Sequence, residues 1–258
     1  MADHASLLKL AETEVSLEIT KEQYGPVLTN PPFVYLDGTL NTRDLGLIPD
    51  SPLRAGFAYR SGLLSNITDN GRAVLEGKLG IKRVFDLRSQ PEREKAPEPV
   101  FEGVETTWIP STRPGSRLDL AMFASGGGEA GYEDMYLEVI EVYVPSWKAI
   151  LEHVRDRPDE PFLVHCTAGR DRTGVFGGLL LTLAGASEET VTLDYLLSRV
   201  GTEPVRLMLL HLRASSWKAF TDGVQKKYGG FVQFAKQELG FSEEDLATIK
   251  KNATSPRS

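Results

Sequence analysis

The run Pro161-Phe-Leu-Val-His-Cys166-Thr-Ala-Gly169-Arg-Asp-Arg172-Thr-Gly174, continued by the apolar stretch Val175–Ala184 and closed at Gly185, decides the fold. Phe162-Leu163-Val164 follows the turn-forming Arg157-Pro158-Asp159 and predicts a short strand. Val175–Ala184 predicts a buried helix with a glycine stop. Strand, glycine-containing loop and buried helix come in the order a phosphate cradle requires.

Upstream of it, Ile81–Arg88 is rich in β-formers and predicts a strand ending near Asp86, bounded by the polar, proline-bearing run Ser89–Pro99. Thr106–Pro110 is a further strand candidate. Phe33–Leu36 and Phe57–Tyr59, separated by Asp37-Gly38 and the Asn41–Gly46 turn, predict a strand or hairpin edge, and Thr68–Leu79 a helix stopped by Gly80. Met135, Tyr136, Val139, Ile140, Tyr143 and Val144 recur at helical spacing, and the pattern resumes after Pro145, which predicts two helices. Downstream, Ser187 with Glu188 and Glu189 starts another helix, and restarts follow near Trp217 and at Ser242. Residues 111–131 form a loose segment that either covers a site or is a surface insertion. The expectation is an N-terminal arm over residues 1–30 and one α/β domain over 31–258. That domain has a central, mostly parallel sheet flanked by helices, with its site at the carboxyl end of a strand.

A chain of 258 residues, 41% hydrophobic and 25% charged, has the proportions of a soluble globular protein. Its net charge of -7 argues against a general nucleic-acid binder, though not against one local basic pocket. A single cysteine excludes an intrachain disulfide, and His4, His153, His165 and His211 lack metal-ligand spacing, so no metal or other cofactor is expected. Met1–Thr20 has no uninterrupted apolar core, and Val175–Ala184 is too short to span a bilayer, which points to the cytoplasm without integral membrane association. Oligomeric state is not legible.

Cys166 and Arg172, six residues apart, each have work to do in such a loop. Cysteine attacks as the thiolate, and a free thiol is only a few per cent ionised at neutral pH. Inward amides from Thr167, Ala168, Gly169 and Arg170, with the positive end of the following helix, stabilise negative charge on either a thiolate or a phosphate. Gly169 permits the backbone angles that close the loop. Arg172 offers a planar fork to two phosphoryl oxygens, Thr173 offers a hydrogen bond to the departing sulfur, Gly174 continues the helix start, and His165 steadies the loop backbone. A buried structural thiol is the bland alternative for Cys166.

His165–Gly174 resembles the H-C-x-x-G-[KR]-D-R-T-G signature of the atypical cysteine-dependent tyrosine phosphatases of bacteria and fungi, which also act on phosphoserine, phosphothreonine and phosphoinositides. Asn41–Gly46, Tyr59-Arg60-Ser61, Phe85–Ser89 and the tail Tyr228–Ser242 are similar to further segments of that family, with Thr42 and Arg170 as departures. The resemblance implies Cys166 as nucleophile, Arg172 as phosphate clamp and Asp171 as an acid within the loop, with Asp86 near the site. Asp134, 32 residues before Cys166, and Asp86 compete for the acid's role. Asp44 and Asp86 alternatively hold backbone amides, with Arg60 and Arg88 as their partners. Arg170 either serves a second phosphate or pairs with Asp171, Glu188 or Glu189. The implied activity is phosphomonoester hydrolysis through a phosphocysteine, on phosphoproteins or phosphoinositides. The rivals are an inositol-polyphosphate or phosphoinositide phosphatase with little protein activity, a sulfurtransferase, which would not need Arg172, and an idle phosphate-binding module.

Overall fold

Apolar residues alternate along three strands, and that alternation sorts them onto the two faces of one sheet. In β5 (Phe162–His165), Phe162 and Val164 belong to the main core and Leu163 to a second one; Phe85 and Val84 of β3 (Arg83–Asp86) and Ala58 and Tyr59 of β2 (Ala58–Ser61) divide the same way. With β1 (Arg43–Asp44) and β4 (Glu105–Trp108), these strands form a five-stranded sheet of order β1-β2-β5-β3-β4, parallel except for the β1–β2 pair. This computed structural model describes residues 3–14, 16–115, 120–124, 126–205 and 212–256. His211 and part of the 111–131 segment lie outside the described residues.

The smaller core lies under α3 (Asp69–Ala73), which is capped by Thr68 and runs into a π-helical turn at Val74–Lys78 before Gly80. The larger core gathers most of the remaining helices. Of the N-terminal segment, α1 (His4–Ala11) and α2 (Lys21–Leu28) lie against the later helix α9 (Glu188–Gly201), and Leu7, Ala11 and Ile19 enter the main core. The polar Ser89–Pro99 run contains α4 (Gln90–Lys95), and the loose 111–131 segment contains α5 (Leu120–Ala124). The two expected helices are α6 (Glu129–Val142) and α7 (Val144–Asp156). The glycine-stopped helix is α8 (Asp171–Ala184), whose cap Gly185 is left-handed. The tail supplies α10 (Ala214–Tyr228), α11 (Phe231–Gln237) and α12 (Glu243–Thr254). Phe33–Leu36 contributes only an isolated bridge, Phe33 to Arg43. No helix among the described residues is long and apolar enough to cross a membrane.

The register fixes where chemistry can occur. His165 pairs with Ser61 of β2 and with Asp86 of β3, so three parallel strands end side by side. The chains leaving them stay tied together, since Leu63 N–H donates to the Thr167 carbonyl (3.0 Å) and Leu87 N–H to the His165 carbonyl (2.8 Å).

Candidate active site

Residues 166–170 turn sharply from β5 into α8, and Gly169 makes the turn possible. Its φ is +64°, and a Cβ there would run into the Ser61 carbonyl, so only glycine closes this loop against β2. The loop is then held from behind by its carbonyls. Asn41 Nδ2 donates to the carbonyls of Ala168 (3.1 Å) and Gly169 (2.9 Å), and Arg60 Nη2 donates to those of Gly169 (2.6 Å) and Arg170 (3.3 Å). Because the two ends of a peptide point oppositely, carbonyls pinned outward leave the amides facing the hollow of the loop.

A second layer positions these two side chains. Asp194 of α9, fully buried, accepts from Arg43 Nε (2.8 Å) and Arg60 Nη1 (2.5 Å), while Arg43 also bonds Asn41 Oδ1 (2.5 Å). Burial alone would raise the Asp194 carboxyl, but the two guanidiniums outweigh it and hold it below its ordinary value. Burial brings Arg43 down to about 10. Arg60 therefore pairs with Asp194 rather than with Asp44 or Asp86. Asp44 accepts the amides of Gly46 (2.8 Å) and Gly56 (2.6 Å), the backbone-holding alternative that its turn suggested.

Inside the cradle, Cys166 is buried at the end of β5 and Arg172 reaches over from the first turn of α8. Arg172 Nη1 and Nη2 each donate at 2.7 Å to an oxygen of Glu92 in α4, and Nη1 also donates to the Leu87 carbonyl (3.0 Å). Glu92 Oε1 further accepts from Thr167 Oγ1 (2.5 Å), and Oε2 from Ser89 N (2.8 Å) and Oγ (2.7 Å). Burial opposes ionisation of Glu92, but Arg172 and the two hydroxyls win and keep its carboxyl far below the ordinary range. Tyr143, at the α6–α7 junction, is buried and under the electrostatic influence of both Arg172 and Cys166. Thr173 Oγ1 is buried with no hydrogen-bond partner.

Asp171 opens α8, and its Oδ1 accepts from Tyr136 Oη at 2.8 Å and from Arg170 Nε at 3.0 Å. Burial pushes its proton affinity up, but Arg170 and Tyr136 outweigh that, so the carboxyl lies below its ordinary value. Tyr136 also shares a 3.0 Å hydrogen bond with Tyr195, and burial drives both phenols well up. Arg170 thus pairs with Asp171 rather than with Glu188 or Glu189. Asp134 is an exposed residue of α6.

Asp86 ends β3 and is buried among arginine side chains. Its oxygens accept from Arg88 N, Nε and Nη2 and from Arg93 Nε, all at 2.9 Å. Asp86, Glu98 and His165 are the described residues whose atoms cluster closely enough to share a metal ion. Arg88 Nη2, however, bonds both carboxylates, at 2.9 and 2.6 Å, so a guanidinium already supplies the cation there. This cluster does not fit a metal.

The sequence motifs therefore converge: Cys166, Asp171, Arg172 and Thr173 share one loop and helix start, with the Asn41–Gly46 and Tyr59–Ser61 motifs buttressing it. Glu92 escaped the sequence reading although Ser89-Gln90-Pro91-Glu92 carries a capping-box signature with proline at the helix start. Asn41 came only as part of the Asn41–Gly46 motif, without a role of its own, and Glu98, Tyr136, Tyr143 and Asp194 carried no sign of a part in the site.

The tyrosine phosphatase family matches residues 34–255. A tyrosine-protein phosphatase of Nostoc commune is 29% identical over 218 residues, covering 74% of this chain and 72% of its own. A Mycobacterium tuberculosis protein named triple specificity protein phosphatase PtpB is 27% identical over 202 residues, covering 66% and 71%. The core catalytic domain of the S. cerevisiae PP-IP phosphatase SIW14 matches 59% of this chain and 78% of its own at 16% identity, with a TM-score of 0.35.

Proposed function

The chain belongs to the tyrosine phosphatase family and is a phosphatase, and from that premise we propose that it hydrolyses phosphomonoesters through a phosphocysteine on Cys166. The observation that carries this reading is the loop itself, whose carbonyls are tied back by Asn41 and Arg60 around a buried cysteine and a braced arginine.

The Cys166 thiolate attacks phosphorus, forming the P–S bond as the P–O bond to the leaving group breaks. Inward amides and Arg172 hold the equatorial oxygens as charge redistributes. Asp171 gives the leaving oxygen its proton. In the unliganded site Asp171 is held ionised, and a phosphate dianion placed beside it raises its proton affinity and competes for Arg170. Water then attacks phosphorus and gives its proton to the Asp171 carboxylate, the P–S bond breaks, and the sulfur leaves as thiolate with the Thr173 hydroxyl donating to it.

Phosphorylated tyrosine, serine or threonine in proteins is the substrate class, in line with the name of the mycobacterial relative. A second reading, phosphoinositides, rests on Arg170, because Asp171 engages only its Nε and leaves two nitrogens for a further phosphate. Neither cofactor nor metal enters the scheme. A lone cysteine used as nucleophile suits a reducing compartment such as the cytoplasm.

Phosphate release by wild type and Cys166→Ser, across phosphopeptides, phosphoinositides and inositol phosphates, tests the proposal. Cys166→Ser should be inactive yet still bind vanadate-like oxyanions. Full activity in that variant would overturn the mechanism, and oxyanion binding without turnover by wild type would leave an idle binding module.

A further inference from the structure

We propose that Glu203, by gripping the N-terminal segment, is a positioning residue for the catalytic loop. The helix α9 is the rod between the two. On one of its faces Asp194, Ser198 and Gly201 recur at helical spacing and carry the side chains that hold the loop. Arg43 Nη2 donates to the Asp194 carbonyl (2.7 Å) and to Ser198 Oγ (3.1 Å), besides gripping the Asp194 carboxylate through Nε. Gly201 comes closer still. A Cβ there would run into Oδ1 of Asn41, so the helix backbone itself touches the residue that ties the Ala168 and Gly169 carbonyls.

The far side of the same turn is held by the N-terminal segment. Arg199 lies about 140° around the helix from Asp194, at roughly 100° per residue. Its Nη2 donates to the Leu17 carbonyl (2.8 Å), and it forms an ion pair with Glu203, both side chains being buried. Glu203 Oε1 accepts from the Ile19 amide (3.0 Å), and Ile19 enters the main core together with Leu7 and Ala11 of α1. Arg199, Gly201 and Glu203 therefore alternate at the end of α9: the first and third hold the segment, and the middle one bears on Asn41. A close-packed interior transmits a small displacement rather than absorbing it. Removing the Glu203 carboxylate breaks both the bond to Ile19 and a buried ion pair, and the end of α9 relaxes toward water to relieve the cost. Asn41 follows Gly201, its hold on the two carbonyls weakens, and the loop amides turn less squarely into the hollow.

This inference rests on the loop being the phosphate site, and binding rather than turnover reads it. Affinity for orthovanadate is measured in wild type, Glu203→Ala, Glu203→Gln, Asn41→Gly, the double variant of Glu203→Ala with Asn41→Gly, and Glu14→Ala. The Glu14 side chain makes an exposed ion pair with Arg213 (3.4 Å), so its loss controls for general loosening of the segment. Glu203→Ala should weaken vanadate binding about fivefold. Glu203→Gln, whose amide oxygen still accepts from Ile19, should keep part of the affinity, and Glu14→Ala all of it. Because Glu203 acts through Asn41, the double variant should bind no more weakly than Asn41→Gly alone, whereas a general structural loss would add. Coupling is reciprocal, so saturating vanadate should slow hydrogen exchange of the Ile19 amide in wild type by a similar factor, a measurement that needs no variant. Unchanged affinity in folded Glu203→Ala, additive losses in the double variant, or Ile19 exchange indifferent to vanadate would each overturn the proposal. A wild type that binds vanadate but releases no phosphate from any ester would instead sink the proposed function and leave this coupling intact.

Discussion

Glu92 grips Arg172 by the far end of its guanidinium, one carboxylate oxygen to each Nη at 2.7 Å. Glu92 and the Leu87 carbonyl together engage Nη1 and Nη2 and not Nε, and Tyr143 makes a further hydrogen bond to the guanidinium. A fork braced at its far end keeps its Nε side to offer a phosphoryl oxygen. Glu92 is therefore a brace and not a plug. Glu92→Ala should lower kcat/KM by about 10- to 100-fold, the range for loss of a partly buried charge-assisted pair worth about 1–3 kcal/mol. It should also weaken binding of inorganic phosphate. Tighter phosphate binding in the variant would show that the carboxylate competes for the site.

The proton donor should reveal itself through the leaving group. Asp171→Asn should slow alkyl phosphates far more than a nitrophenyl ester, whose leaving oxygen needs no proton. Equal slowing of both would reduce Asp171 to a loop anchor. Tyr136→Phe removes a hydrogen bond to the ionised form of Asp171, so it should move the alkaline limb of the rate profile to higher pH.

Much of this was legible because glycines and short apolar runs punctuate the chain where the backbone must turn. Phe162-Leu163-Val164 and Val84-Phe85-Asp86 can bury both faces only as strands, and Gly169 sits where a Cβ has no room. The Phe33–Leu36 run did not become a strand, since its neighbour is the two-residue β1, which offers it only the single bridge from Phe33 to Arg43. What stayed hidden is long-range. Asp194 lies 151 residues from Arg43 and Glu92 lies 80 from Arg172, and no local spacing records such pairs.

Stability should respond to pH at Asp44. It is buried without a cation, and burial raises it to about 6 against two amide hydrogen bonds that act the other way. A native value above the unfolded one means that the folded state holds the extra proton between about pH 4 and 6. Ionisation by pH 7 then costs about 3 kcal/mol, and acidification toward pH 5 recovers part of it. His153 has the opposite sign, because burial lowers it and the unfolded chain takes the proton first below about pH 6.5. Comparing wild type with Asp44→Asn cancels His153: the difference in unfolding free energy should shrink as pH rises from 5 to 7. A difference independent of pH would mean that Asp44 titrates normally.

Asn41 lets loop geometry be separated from loop charge. It has a left-handed φ of 59°, accepts from Arg43 and donates to the Ala168 and Gly169 carbonyls. Asn41→Gly keeps the backbone conformation and removes the anchor, so phosphate binding should fall by about tenfold, the worth of hydrogen bonds contributing roughly 1 kcal/mol each. Asn41→Asp keeps shape and the bond to Arg43 but turns a donor into an acceptor facing two carbonyls. Repulsion should push those carbonyls away and rotate the amides out of the hollow, and the added charge opposes an anion. Asn41→Asp should therefore bind inorganic phosphate more weakly than Asn41→Gly, even if its Tm is higher through the stronger Arg43 pair. Phosphate titrations and melting curves on the two variants check this, and equal phosphate affinity in both would show that the carbonyls need no tether to keep the amides turned inward.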